Sequence, residues 1–279
     1  MDKKIKVALF GTCRLTNIRR NYSCTDFDNA ISFVHTTREI IQLMKFITKQ
    51  IEVPDTINPF CFRTGILNRK PVSHSESFLS QFTEADLFVI EISAMKNYVF
   101  QGYYLHHLAV DRRLEFASET PEQIVRETEV LYQDREEIEK DIAEIMRLVH
   151  PRKILIASHI NATIEMGQQS LGAGNEAGLA AGVRRRISSW VAPFFGKDAA
   201  TPSRTVIGRR ARLITLLSDI CREKGVDFFD PTVALSRYRE KRILQTELPG
   251  LPPGHYTDFG NKVMSRLYAE EIRRIMRCP

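Results

Sequence analysis

Short apolar runs, each followed by polar residues, recur along the chain. They are residues 5–10, 86–92, 153–157 and 226–229. Their length and their β-branched and aromatic content predict strands that are buried on both faces of a parallel sheet. Apolar residues at helical spacing predict helices between and after the strands, over 40–47, 120–149, 212–225 and 261–276. Strands that alternate with helices predict an α/β fold with a central parallel sheet.

Polar side chains follow three of the predicted strands. In an open α/β sheet, ligands bind just outside the carboxyl ends of the strands. We therefore expect contacts to a substrate, or to an oxyanion formed from it, from Arg14 after the first strand, Ser93 and Asn97 after the second, and Ser158, His159 and Asn161 after the third.

Cys13 lies at the same address, directly after the first strand. A neighbouring Arg14 and a helix N-terminus would both lower the pKa of its thiol, which favours a nucleophilic thiolate. The alternative is a small buried residue that fills a corner between strand and helix, as most free cysteines do. The sequence around Cys13 leaves both interpretations open.

Acyl transfer is the chemistry that these residue types suit. It needs a nucleophile, a base that activates it, and donors for the oxyanion. Cys13 supplies the first. His255, in a turn before the last predicted helix, supplies the base if that turn folds beside the first strand, and the polar residues after the second and third strands supply the donors.

Several short motifs resemble the GSCFA proteins, a branch related to the SGNH (GDSL-type) esterases and acyltransferases. Gly11-Thr12-Cys13 is similar to the Gly-Ser-Cys opening of that family. The other similar segments, in order, are 57–60 (INPF), 65–68 (GILN), 86–93, 151–158, 228–230 and 254–255. The resemblance implies a flavodoxin-like three-layer α/β sandwich with a catalytic Cys13–His255 dyad.

Three positions depart from the family's pattern. Pro252 stands where an acid precedes the terminal histidine in the SGNH pattern, Ser158-His159 replaces Ser-Pro, and Arg14 replaces a phenylalanine. A weaker resemblance links the chain to cytoplasmic capsule polysaccharide acetyltransferases of the WcbI type. The resemblance implies O-acetylation of a carbohydrate or nucleotide sugar, with acetyl-CoA as the donor. An SGNH-type carbohydrate esterase is the alternative.

Arginines account for much of the net charge of +6. Those that we expect to hold a coenzyme A phosphate are Arg184, Arg185, Arg186, Arg209 and Arg210, because guanidinium groups match phosphate bidentately. The alternative is a solvated face. Residues 162–212 are predicted to form a helical insertion or lid in one domain that spans residues 1–279.

Composition excludes several other classes of protein. Five cysteines at irregular spacing give neither a disulfide framework nor a paired metal motif, and with no signal-peptide pattern they predict a cytoplasmic location. Adjacent His106 and His107 should point apart, so we expect no metal site. Acidic and basic residues interleave and no nucleic-acid motif is present, which makes nucleic acid an unlikely partner. A non-catalytic binding protein on the same fold remains the competing class.

Overall fold

A computed structural model describes residues 5–25, 27, 33–111, 119–161, 202–245 and 254–277. The strands are β1 (Lys6–Phe10), β2 (Ser23–Cys24), β3 (Leu87–Ile92), β4 (Lys96–Phe100), β5 (Tyr103–Leu105), β6 (Glu129–Tyr132), β7 (Lys153–Ser158), β8 (Asp227–Phe229), β9 (Leu244–Gln245) and β10 (His255–Tyr256).

A 3₁₀ helix, Cys13–Arg20, follows β1. The α-helices are α1 (Thr37–Ile47), α2 (Asn58–Cys61), α3 (Arg63–Asn68), α4 (Glu76–Glu84), α5 (His107–Val110), α6 (Glu122–Glu127), α7 (Arg135–Val149), α8 (Pro202–Lys224), α9 (Pro231–Leu235), α10 (Glu240–Ile243) and α11 (Asp258–Arg277).

The central sheet has five strands in the order β2-β1-β3-β7-β8, and all of its pairings are parallel. Counted along the chain within this sheet, the order is 2-1-3-4-5, which is the flavodoxin-like arrangement. The predicted α/β fold with a parallel sheet is confirmed. Ligands in such sheets bind where the strand order reverses, which here is the carboxyl edge of β1 and β3.

Helices cover both faces of the sheet and give three layers. On one face, α1, α7 and α8 bury their apolar sides against the sheet, with Leu43, Ile142 and Leu217 fully buried. On the other face, the 3₁₀ helix and α11 pack around Leu15 and Met264. Burial on both faces explains why the core strands read as continuous apolar runs.

Two helix predictions need correction. The segment from Thr120 to Val149 contains a strand, because β6 pairs antiparallel with β4 and a capping box between Asp134 and Glu137 starts a new helix, α7. The helix expected from Arg212 begins at Pro202, so it takes in the last part of the predicted insertion, and the insertion or lid over 162–212 stays a prediction. The rest of the predicted insertion lies outside the described residues.

Candidate active site

The structure brings Cys13 and His255 together although 242 positions separate them in sequence. Cys13 begins the 3₁₀ helix after β1, and its Sγ lies 3.3 Å from His255 Nε2. A general base must lie about 2.6–3.2 Å from the atom that it deprotonates, with some slack in the unliganded state. The expected juxtaposition is therefore present, and an imidazole stands ready to accept a thiol proton.

Pairing at the far end of the chain holds His255 in this position. His255 opens β10, which pairs antiparallel with β9 through Gln245. The next residue, Tyr256, is buried under the sheet and leads directly into α11. Because β10 pairs with β9 and leads into α11, the backbone of His255 is held close to the Cys13 thiol.

Gly11 sets the turn that presents Cys13. Its φ of +153° is a conformation that L side chains rarely adopt, and an added Cβ would lie 2.6 Å from the Cβ of Glu91. The glycine therefore lets β1 approach β3 closely at the edge of the sheet where Cys13 lies.

Glu91 is the residue that sequence reasoning missed. It is 1% exposed within β3, and it accepts hydrogen bonds from the backbone N–H of Thr12 at 3.1 Å and from the Thr12 hydroxyl. A carboxylate inside an otherwise apolar strand is seldom buried without a partner, so the run DLFVIEI already carried the signal.

Arg14 is that partner of Glu91. Its Nε donates to Glu91 Oε1 at 2.9 Å, and its NH1 donates to the carbonyl of Gly254 at 2.9 Å. Burial lowers the pKa of Arg14, but the charge and hydrogen bond of Glu91 outweigh it and the pKa is raised. Arg14 was predicted to contact the substrate or an oxyanion. These two bonds hold it against the protein beside His255, and its contact with a substrate or an oxyanion stays a prediction.

A second arginine, Arg210, reaches the same place from α8. A Cβ added at Gly254 would lie 3.5 Å from an Arg210 guanidinium nitrogen and 3.5 Å from His159 Cε1. Burial, followed by the charge of Arg14, lowers the pKa of Arg210 to about 10. Of the two arginines predicted in this helix, Arg210 lies at the site, whereas Arg209 is exposed and stands over the ring of Tyr132. Arg184, Arg185 and Arg186 lie outside the described residues.

His159 and Ser93 also line this edge of the sheet. His159 is buried beside Gly254, and its Nδ1 bonds the carbonyl of Ile160. Burial and the charges of Arg14 and Arg210 hold its pKa well below the usual range, so the ring is neutral. Ser93 is half-buried at the end of β3, with its Oγ 3.0 Å from His35 Nδ1.

Three of the predicted contacts have hydrogen-bond partners within the protein. Asn97 is buried and bonds Thr36 and Gln133, which ties β4 to the start of α1. Ser158 is buried and donates to Asp230 at 3.4 Å, and the amide of Asn161 donates to the carbonyl of Ile207. Their roles as oxyanion or substrate contacts stay predictions. Their polar groups satisfy the fold, although Asn161 Oδ1 has no partner among the described residues.

The histidine pair does not point apart as expected. The rings of His106 and His107 stack with centroids 4.5 Å apart, and His35 lies edge-on to His107 at 4.5 Å. One ring nitrogen from each of the three lies within 4.8 Å of the others. His106 already bonds the carbonyl of Phe33 through Nε2 and the N–H of Leu108 through Nδ1, which favours a structural cluster. The expected absence of a metal stays a prediction.

Among the described helices, none combines the length and the apolar character needed to cross a membrane.

Solved structures with similarity to the chain include two esterase-like proteins. A putative acylhydrolase from Bacteroides fragilis is 13% identical, with 99% of this chain and 90% of that chain covered at a TM-score of 0.42. A carbohydrate acetylesterase family member from Sinorhizobium meliloti is also 13% identical, with 98% and 99% covered at a TM-score of 0.39. At such scores these likenesses carry no argument about fold or function.

The chain is also similar in sequence to a polysaccharide biosynthesis protein. The Vi polysaccharide biosynthesis protein TviD of Salmonella typhi is 23% identical over 300 residues, which cover 92% of this chain. The chain spans 30% of the length of that relative. Residues 5–122, which carry Cys13, Arg14 and Glu91, match the family model described as the TviD N-terminal domain.

Proposed function

We propose that this protein is an acyltransferase that moves an acetyl group onto a hydroxyl of a carbohydrate. The observation that carries the proposal is the 3.3 Å approach of Cys13 Sγ to His255 Nε2 at the ligand-binding edge of the sheet. The similarity to TviD and the weaker resemblance to capsule polysaccharide acetyltransferases both support a saccharide acceptor.

The first half of the reaction acylates the cysteine. His255 Nε2 takes the thiol proton as Cys13 Sγ attacks the acyl carbon of the donor, and the carbonyl electron pair moves to oxygen. The Ser93 hydroxyl, beside His35, is the side chain that we assign to the oxyanion. When the intermediate collapses, the bond to the donor's thiol breaks, and the departing sulfur takes the proton from His255.

The second half of the reaction removes the acetyl group from Cys13. A hydroxyl of the acceptor attacks the thioester carbon while His255 Nε2 takes its proton. The bond from carbon to Cys13 Sγ then breaks, and the proton returns to sulfur. No acid is needed three residues before His255, because a thiol ionises more readily than a serine hydroxyl and asks less of its base. Pro252 is therefore compatible with this mechanism.

Acetyl-CoA is the donor that we propose, with Arg210 as a contact for one of its phosphates. Arg210 lies beside Gly254, next to His255, whereas its neighbour Arg209 is exposed and turned to Tyr132. Replacement of Arg210 by alanine should raise the Kd for coenzyme A about 10- to 100-fold, as expected for a hydrogen bond to a charged group. Arg209→Ala is the matched control and should leave it unchanged.

Capture of the acyl-enzyme tests the proposed function. The protein is incubated with acetyl-CoA, and peptides that contain each cysteine are weighed by mass spectrometry. We expect one acetyl group on Cys13, its absence in His255→Ala, and its persistence in Cys24→Ala, which removes another half-buried thiol. An unmodified Cys13 with intact acetyl-CoA, under conditions where coenzyme A binds, would contradict acyl transfer through Cys13.

An esterase on the same site is the second candidate, because water can replace the sugar hydroxyl in the deacylation step. Release of free acetate that is insensitive to added oligosaccharides would favour the esterase. Transfer of acetyl to an oligosaccharide, seen as a mass gain of the sugar, favours the transferase. Oligosaccharide binding without either reaction would favour a non-catalytic binding protein.

A further inference from the structure

The site contains a link between its two halves that the reaction steps above do not use. Cys13 belongs to the segment after β1, and His255 to the segment before α11. Arg14 and Glu91 connect these segments through hydrogen bonds on both sides. We propose that the Arg14–Glu91 pair holds His255 in position against Cys13. The pair would thereby take over the orienting role of the acid that precedes the histidine in the SGNH pattern. This inference rests on the proposed function.

Glu91 supplies the fixed end of the link. It stands in the central strand β3, whose register with β1 sets Phe10 opposite Ile90. One carboxylate oxygen accepts from the backbone and hydroxyl of Thr12, and the other accepts from Arg14 Nε. The residues on either side of Cys13 are therefore tied to the same carboxylate, which holds the nucleophile against the sheet.

Arg14 supplies the span to the histidine. Its planar guanidinium uses Nε for Glu91 and NH1 for the carbonyl of Gly254, the residue directly before His255. The peptide bond from Gly254 fixes where His255 starts, so a bond to that carbonyl restricts the position of the imidazole. A lysine has one nitrogen and no planar fork, and it does not reproduce this geometry.

The charges of the pair also act on the thiol. Arg14 and Cys13 interact electrostatically, and His255 contacts the thiol itself. The other charged or titratable groups that interact with Arg14 are Glu91, Arg210, His159, His35, Tyr256 and Tyr268. Arg14 favours a Cys13 thiolate, and Glu91 opposes it by partly neutralising Arg14. Positioning and charge can therefore be separated by substitution.

Three variants separate the effect of positioning from the effect of charge, with iodoacetamide and acetyl-CoA as probes. Arg14→Lys keeps the charge and loses the fork, so we expect acetylation of Cys13 to slow on the order of 100-fold, as for a displacement of about 1 Å. Its pH midpoint for iodoacetamide alkylation should move less than that of Arg14→Gln, because the positive charge stays. Arg14→Gln should raise that midpoint, and Glu91→Gln should lower it, because they remove charges of opposite sign.

Hydrogen exchange measures the link without any turnover. Amides of residues 254–257 should exchange faster in Arg14→Lys than in the wild type. Arg38→Gln is the control, because Arg38 pairs with a buried carboxylate, Asp141, at 2.7 Å on another element. It should lower the melting temperature without changing the alkylation midpoint or exchange at 254–257.

Two results would overturn the inference. One is a folded Arg14→Lys protein that acetylates Cys13 and exchanges at 254–257 like the wild type. The other is a pair of Gln variants whose alkylation midpoints shift in the same direction. If Glu91→Gln does not fold, the two Arg14 variants decide. If wild-type Cys13 never becomes acetylated, acyl transfer fails, while exchange at 254–257 still tests the link.

Discussion

Two buried carboxylates in this protein have nearly the same partners and different consequences. Glu91 accepts bonds from Thr12 and Arg14, and Asp141 accepts bonds from Thr37 and Arg38. Each threonine lies one or two residues before the arginine that shares its carboxylate. One set stands at the carboxyl edge of the sheet beside a thiol, and the other joins α1 to α7.

The two networks differ in the residues to which their remaining hydrogen bonds lead. Asp141 also accepts from Gln133, which in turn bonds Asn97, so every partner belongs to the scaffold. Around Glu91, the chain of bonds ends at the carbonyl beside His255. The same residue types therefore stabilise structure in one place and position reactive groups in the other, and location at the sheet edge decides which.

The largest expected effect concerns where thiol reactivity appears. Burial raises the pKa of Cys61 and of Cys221 to about 12, so neither has appreciable thiolate at neutral pH. Cys13, with Arg14 and His255 beside it, should react with iodoacetamide at least about 100-fold faster. Brief labelling followed by peptide mass spectrometry measures the three rates. Labelling of Cys61 or Cys221 ahead of Cys13 in folded protein would remove the nucleophile assignment.

The second-largest effect is expected when the hydrogen-bond network around Asp141 is broken. Asp141→Asn removes the buried carboxylate that Arg38 contacts at 2.7 Å and leaves that half-buried arginine with Glu137 at 3.8 Å. Because only one member of the pair is buried, we expect a loss of about 2–3 kcal/mol of unfolding free energy. Urea unfolding measures the loss. Reactivity of Cys13 should stay as in the wild type, which is the contrast with Glu91→Gln. A change in Cys13 alkylation in the Asp141 variant would show that the two networks are coupled.

The smallest effect concerns Glu39, a buried carboxyl held by the backbone N–H of His35 instead of an arginine. Burial raises its pKa to about 8. The folded state therefore keeps a proton that the unfolded state loses above its ordinary pKa of 4.5. This contribution to stability is complete below pH 4.5 and declines as the pH rises to about 8.

Glu39→Gln should remove that decline. At pH 5.5, one unit above the unfolded pKa, the variant should be more stable than the wild type by about 1.4 kcal/mol. The difference should grow as the pH rises towards 8, and below pH 4.5 the two proteins should converge. Chemical unfolding at several pH values measures the difference. A difference that is constant from pH 5 to pH 8 would contradict a protonated Glu39. Because His35 and His106 are present in both proteins, their own depressed pKa values cancel in the comparison.

Much of the sheet could be predicted from the sequence because its strands are buried on both faces. The runs 5–10, 86–92 and 153–157 correspond to β1, β3 and β7 within a residue at each end. By contrast, β6 was hidden, since its residues are exposed and only pairing with β4 makes them a strand. The hydrophobic period and the composition of a segment indicate whether its residues are buried. They do not indicate whether the segment pairs with another strand.

The sequence indicated the candidate reactive residues of the site, but not the residues that hold them in position. Cys13 and His255 are recognisable by residue type and position, whereas Asn97 looks the same in sequence whether it faces a substrate or a buried glutamine. Arg14 likewise follows the nucleophile in sequence, but only the fold shows that Glu91 and Gly254 occupy its donors. Hydrogen-bond partners distant in sequence are the information that a local pattern lacks.

The distance along the chain between Cys13 and His255 has a consequence for biosynthesis. Synthesis proceeds from the N-terminus, so the strand that carries the thiol is made long before the turn that carries the imidazole. Until β10 has paired with β9 and α11 has packed, His255 is not held against the Cys13 thiol, so the proposed acyl transfer cannot begin. Closing so long a loop is among the entropically later events of folding. Catalytic competence would therefore report completed folding, and a chain cut before His255 would be unable to modify its surroundings.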